Sequence, residues 1–299
     1  MTLPNFLYVG SPKAGSTWIF EALRAHPEVF IPEAKYVQYF TRYYPRGADW
    51  YRKQFRGATG QHTAIGEVNA SLMCKRDAIE RMAALVPNAK LLISARNPME
   101  RDWSAYLFRQ RNGEVRGSFR EAIDGSDHFV SRASHYIDCI RDLEQYFPRD
   151  QLGIFVFDDL KSDPRAFARS IFEFLDVDSE FEFNNAGRKA YAASRARIQW
   201  IATGIKKVSV LARDLGMTRM IARAKKSRLL MKTLYVPIDK SKTKQIPLED
   251  WMFLCERYAD GINRLGRYLQ RDLSHWFDPP SHLHALADAC NLKQTVAPQ

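Results

Sequence analysis

The sequence predicts an α/β fold, a parallel sheet flanked by helices, with a mainly helical, basic cap segment in its second half. Three observations carry this. The apolar run Phe6-Leu7-Tyr8-Val9 enters a glycine turn and then a helical pattern, as a buried parallel strand does. A second run, Lys90 to Ala95, follows a helical stretch and the turn Pro87-Asn88, the order of a strand, crossover and strand. Beyond it, helical and extended patterns keep alternating.

Taken in order, the first helix is expected from Ser16 to Arg24, where Trp18, Ile19, Ala22 and Leu23 recur at helical spacing and His26-Pro27 stops the segment. Arg76 to Val86 reads as a helix ahead of the Lys90 strand. Ser131 to Tyr146 reads helical, Gln151 to Phe157 extended, and Pro164 to Leu175 helical. From 181 to 235 the pattern breaks into an Ala-, Arg- and Lys-rich stretch with no convincing strand, expected to be a helical cap on the acceptor side. The last helix, Leu248 to Leu269, places Trp251, Leu254, Tyr258, Ile262 and Leu265 on one face. The tail, 280–299, is expected to be weakly ordered, and 1–299 to form a single domain.

With 299 residues, 45% of them hydrophobic, the chain can bury a full core, so disorder is not the expectation. Its formal charge of +11 favours anionic partners without choosing among nucleotides, acidic glycans, lipid headgroups and nucleic acids. Cys74, Cys139, Cys255 and Cys290 form no CxxC pair, so neither a zinc knuckle nor a disulfide framework is expected, and no metal. No apolar run reaches the roughly 18 residues of a membrane span. A cytoplasmic protein is expected, with a peripheral membrane contact through 206–232 as an option. That stretch sets nine basic residues against the single acid Asp214, interleaved with Val208, Leu211, Met220 and Leu229.

The loop Gly10-Ser11-Pro12-Lys13-Ala14-Gly15-Ser16-Thr17 lies between the first strand and the first helix. Such a turn turns backbone N–H groups and the positive end of a helix toward an anion, here with Lys13 as a mobile cation and two hydroxyls at the helix start. A nucleotide triphosphatase would need lysine directly after the second glycine, where Ser16 stands. Its magnesium-binding Asp would be expected where the second strand ends in Ser94-Ala95-Arg96. The loop is therefore P-loop-like but lacks the sequence of an ATP-hydrolysing site.

The second strand runs into Arg96-Asn97-Pro98-Met99-Glu100-Arg101-Asp102-Trp103-Ser104, putting a guanidinium at the strand's carboxyl end and a hydroxyl further along a helix. Ligands of open parallel sheets bind at that edge, so Arg96 and the glycine loop should meet there around a second phosphate. Together the two motifs resemble those of the sulfotransferases that use 3′-phosphoadenosine 5′-phosphosulfate (PAPS), in family order. The resemblance is to the heparan-sulfate-type and related bacterial branch in particular, and continues through Tyr36 to Phe40, Gly47-Ala48-Asp49-Trp50-Tyr51, Gly66-Glu67, Phe147-Pro148, Asp163-Pro164 and Arg271 to Trp276.

The resemblance implies transfer of a sulfuryl group from PAPS to a hydroxyl or amine acceptor, a glycan, lipid-linked or natural-product group, leaving adenosine 3′,5′-bisphosphate (PAP). It implies that Lys13, Ala14, Gly15, Ser16 and Thr17 hold the 5′ end and that Arg96 and Ser104 hold the 3′-phosphate. Trp18 matches an adenine-stacking aromatic, though its helical position suits core packing equally. Arg188 and Lys189 lie where a late loop often closes on the nucleotide. The branch carries a glutamate as base where this sequence has Tyr36. Glu33, His62, Glu67 and Tyr36 itself are therefore all candidates for the base. A P-loop-type nucleotide kinase and a basic nucleic-acid-binding module are the alternatives; no nucleic acid partner is expected, and oligomeric state is not addressed by the residues.

Overall fold

The computed structural model describes residues 2–33, 35–115, 117–125, 130–183, 194–196, 235–237 and 245–284. Five strands, β1 (Phe6–Gly10), β2 (Val29–Phe30), β3 (Ala64–Val68), β4 (Lys90–Ala95) and β5 (Leu152–Val156), form one sheet in the order β2-β3-β1-β4-β5. Every pairing is parallel, with Leu7 opposite Glu67 on β3 and Leu91 on β4. Parallel neighbours need crossovers, which helices supply on both faces.

Period-two alternation divides each central strand between two cores. Leu7, Val9, Leu91 and Ile93 face one side. There they meet α3 (Arg76–Leu85), α4 (Pro98–Arg111), α6 (Tyr136–Glu144) and α9 (Leu248–Leu269) through residues such as Met82, Met99, Ile140 and Leu254. Phe6, Tyr8 and Leu92 face the other, with Trp18, Ile19 and Leu23 of α1 (Ser16–Ala25) and Phe167 and Ile171 of α8 (Pro164–Phe174). With both faces covered, β1 is buried along its whole length. Its apolar run therefore carries no polar alternation.

Several element bounds differ from the sequence reading for local reasons. The expected helix 131–146 is a short 3-10 turn, Arg132–Ser134, followed by α6. Phe157, expected to end the last strand, opens α7 (Phe157–Ser162), whose first turn carries Asp158 and Asp159 at the favourable end of the helix dipole. Two further helices, α2 (Gly47–Arg52) and α5 (Phe119–Asp124), are short, the second closed by a Ser118/Glu121 capping box. The 181–235 stretch does contain strand: β6 (Ser194–Ala196) pairs antiparallel with β7 (Tyr235–Pro237), correcting the expectation of none. Leu283 is buried and His282 Nε2 lies 3.1 Å from the Ile246 carbonyl, so the chain is still docked at 281–283, past the expected onset of a loose tail. The basic stretch 206–232, Arg188, Lys189 and 285–299 lie outside the described residues. No helix among the described residues is long and apolar enough to cross a membrane.

Candidate active site

The loop leaves β1 at the sheet's carboxyl edge and is clamped from behind, carbonyl by carbonyl. The Ser11 carbonyl accepts from the Tyr8 hydroxyl at 3.1 Å and the Pro12 carbonyl from Arg101 Nε at 3.1 Å. The Lys13 carbonyl accepts from Arg96 Nη1 at 3.1 Å and the Ala14 carbonyl from Ser94 Oγ at 2.6 Å. A planar trans peptide points its N–H opposite its C=O, so holding three successive carbonyls, of Pro12, Lys13 and Ala14, against the protein turns the N–H groups of Lys13, Ala14 and Gly15 outward.

Gly15, at φ 89°, caps α1 in the left-handed region, where an added Cβ would also crowd Leu160 and Phe157 at 3.1 Å. No side chain caps the helix start, and its first turn holds no acid. Ser94, in the strand end Ser94-Ala95-Arg96 where a triphosphatase would carry a magnesium-binding Asp, staples the loop and is bonded also to the Tyr8 hydroxyl at 2.5 Å.

Cations crowd this edge. Lys13 lies 4.7 Å from the Phe108 ring on α4, and burial, then the charges of Arg111, Arg96 and Arg101, bring its ammonium down to about 8. Arg96 is half-buried over Phe157 and gives two N–H groups to Glu100, the closer at 2.7 Å, besides the one to Lys13. Two of its five N–H groups stay free of these bonds. The Ser104 hydroxyl lies two turns along α4, half-exposed. Lys35, which the sequence reading passed over, reaches Thr17 Oγ1 at 2.7 Å and Ser16 Oγ at 3.3 Å. Its neighbour Tyr36, at the position of the expected glutamate, is the one that drew the reading away from it.

The remaining candidates divide by position. Trp18 is 5% exposed, set edge-on to Phe167 and Phe183 at centroid distances of 5.7 and 5.6 Å, as a core residue is. His62 precedes β3, at the sheet edge opposite the loop; its Nδ1 accepts from the Thr59 amide at 2.9 Å and its ring meets Phe30. Glu33 is exposed and follows β2 at the loop's edge of the sheet. Tyr36 has its phenol pushed up, first by burial, against a bond to Ser16 that lowers it, so it carries its proton at neutral pH.

Glu67, on β3, is wholly buried; among the described residues neither carboxyl oxygen has a hydrogen-bond partner of good geometry, and the Asn69 Nδ2, close enough to act on the carboxyl, has none either. Burial raises its acid to about 8, with Asn69 opposing. The folded chain thus keeps a proton that the unfolded chain releases above the ordinary value of 4.5. Between those values stability should fall as pH rises, by up to about 1.4 kcal/mol per pH unit. Glu67→Gln is expected to flatten that slope and to be the more stable form at pH 8, read from denaturant midpoints at pH 5 to 8. An unchanged slope would contradict the buried, protonated state.

The sulfotransferase domain family matches residues 3–214, and the chain belongs to it. It is 30% identical over 155 residues to the membrane-associated sulfotransferase kil1 of Dictyostelium discoideum, covering 49% of this chain and 31% of that protein. It is 30% identical over 214 residues to heparan sulfate glucosamine 3-O-sulfotransferase 6 of Homo sapiens, covering 65% of this chain and 61% of the relative. The chain thus spans less than two thirds of the length of these curated relatives. In fold it matches the crystal structure of a sulfotransferase from Alicyclobacillus acidocaldarius, with a TM-score of 0.66 at 21% identity, over 93% of this chain and 100% of that one. The chain is thus a sulfotransferase-family domain of α/β architecture, its parallel sheet flanked by helices.

Proposed function

We propose that the enzyme uses PAPS as donor, bound across the loop and α4, and passes its sulfuryl group to a hydroxyl- or amine-bearing acceptor. The observation that carries this reading is the clamped loop: outward N–H groups, a helix start with no side-chain cap and the Lys13 ammonium without an ion pair among the described residues, all at one point. Such a cradle fits the multiply charged end of a phosphosulfate. Lys13 and the amides of Ala14 and Gly15 stabilise charge as it gathers on the departing phosphate, Ser16 and Thr17 donate hydroxyl protons to it, and Arg96 with Ser104 holds the 3′-phosphate. PAPS supplies an activated sulfuryl group whose bond to phosphate breaks as the bond to the acceptor oxygen or nitrogen forms.

The acceptor's proton must go to a base. Glu67 is sealed and protonated, Tyr36 keeps its own proton, and His62 is at the wrong edge. Glu33 combines exposure with the right edge, two residues before Lys35, and is the base we assign. Arg188 and Lys189 keep the role of closing on the nucleotide, and 206–232 that of meeting an anionic acceptor or membrane surface. A cytoplasmic location and a single domain over 1–299 complete the reading. The test is transfer of label from sulfur-labelled PAPS to a panel of glycan, lipid-linked and small hydroxyl or amine acceptors, with Glu33→Gln and Glu67→Gln beside the wild type. Loss of turnover in Glu33→Gln with Glu67→Gln active supports the assignment; the reverse pattern overturns it.

A further inference from the structure

Lys35 is a cation in a place that repels cations. Its ammonium sits at the amino end of α1, where the helix presents partial positive charge, and its only hydrogen-bond partners among the described residues are the neutral hydroxyls of Thr17 and Ser16. No carboxylate lies within ion-pair distance of it among the described residues. Glu21 is near enough to be felt but is bonded to Arg24 at 2.6 Å. Burying an ammonium without a counter-ion is costly, so a folded chain keeps one only where something else answers the charge. The ring of Tyr36, 5.5 Å away, answers it in part.

The sheet order places Lys35 on the opposite side of the loop from the Lys13 support. Lys35 arrives from the segment after β2, whereas Lys13 leans on Phe108 of α4, the helix that follows β4, and β1 lies between those strands. We propose that Lys35 is a second donor-binding cation, contacting the anion held at Ser16 and Thr17 from the side opposite Lys13. The inference rests on the PAPS reading given above and sharpens its 5′ subsite.

One consequence is particular to Lys35. Burial first, then the charge of Lys13, bring its ammonium down to about 7, with Glu21 acting the other way. The groups facing it are thus Lys13 from the loop, Glu21 from α1 and the Tyr36 phenol beside it. Near pH 8 the free enzyme holds Lys35 largely neutral, and an arriving polyanion raises its affinity for a proton. Binding therefore takes up protons, and donor affinity falls as pH rises above 7.

The experiment is calorimetry of adenosine 3′,5′-bisphosphate binding at pH 8 in two buffers of different ionisation heat, which gives affinity and proton uptake together. Lys35→Met should bind at least about tenfold more weakly and take up fewer protons, the remainder coming from Lys13. Lys35→Arg should keep near-wild-type affinity but also take up fewer protons, because a guanidinium does not titrate there. Wild-type affinity and uptake in Lys35→Met would overturn the inference while leaving the donor reading intact. A wild-type enzyme that binds no bisphosphate would overturn both.

Discussion

Lys13→Ala is expected to lower turnover about 100- to 1000-fold at saturating PAPS, the range seen when one preorganised charge stabiliser is removed from a transition state. The fold should stand. Lys13 contributes a ring contact with Phe108 and no ion pair among the described residues, and the loop is held through backbone carbonyls that alanine retains. Circular dichroism and melting temperature should match the wild type while kcat collapses. Removing a repelled ammonium would if anything relieve its neighbours Arg111, Arg96 and Arg101. Full turnover in this variant would end the assignment of Lys13 to the moving charge.

The second large effect is structural and comes from Arg101 on α4, whose Nε clamps the Pro12 carbonyl of the loop. Arg101 is fully buried, and besides the Pro12 carbonyl it donates to Asp102 at 2.8 Å and to the Val130 carbonyl and Ser134 Oγ at 3.0 Å. Asp102 also accepts from Ser134 at 2.6 Å and from the Tyr258 hydroxyl of α9. Burial holds the Asp102 acid up at about 6, against the Arg101 charge and those two bonds, which pull it down. Arg101→Met strands this carboxylate without its cation, and breaking a buried pair in that way costs about 3–5 kcal/mol. The denaturation midpoint should drop accordingly, and the double variant Arg101→Met/Asp102→Asn should recover part of the loss, since neither partner then carries an uncompensated charge. Donor affinity should fall too, because the Pro12 carbonyl loses its clamp.

What the sequence revealed, and what it withheld, follows from the range of the interactions involved. The β1, loop and α1 sequence was readable because a buried parallel strand, a glycine turn and an apolar stripe are local patterns, and β4 and α9 keep their expected bounds for the same reason. β3 was not singled out as a strand. Its five residues Ala64–Val68 include a glycine and a glutamate, and only the sheet around them explains their burial. The clamps on the loop carbonyls come from Tyr8, Ser94, Arg96 and Arg101, up to 89 residues away, and no spacing announces them.

For the site, the motifs picked out the loop residues and Arg96 as candidates, whereas the positions that separate the base candidates were not visible in the sequence. His62, Glu33 and Glu67 look alike as polar residues near short apolar runs; strand direction sends the first to the far edge, and the β3 packing seals the last. Lys35 drew no reading from the sequence, because only the folded chain shows it bonded to the Thr17 and Ser16 hydroxyls with no carboxylate at ion-pair distance among the described residues.

The most direct test of the account is calorimetry of the wild-type enzyme with adenosine 3′,5′-bisphosphate and with ATP, each in excess chelator. The donor site proposed above, of clamped loop amides, Lys13, Arg96 and Ser104, predicts tight, metal-independent binding of the bisphosphate and much weaker binding of ATP. ATP binding that requires magnesium, with no affinity for the bisphosphate, would contradict it.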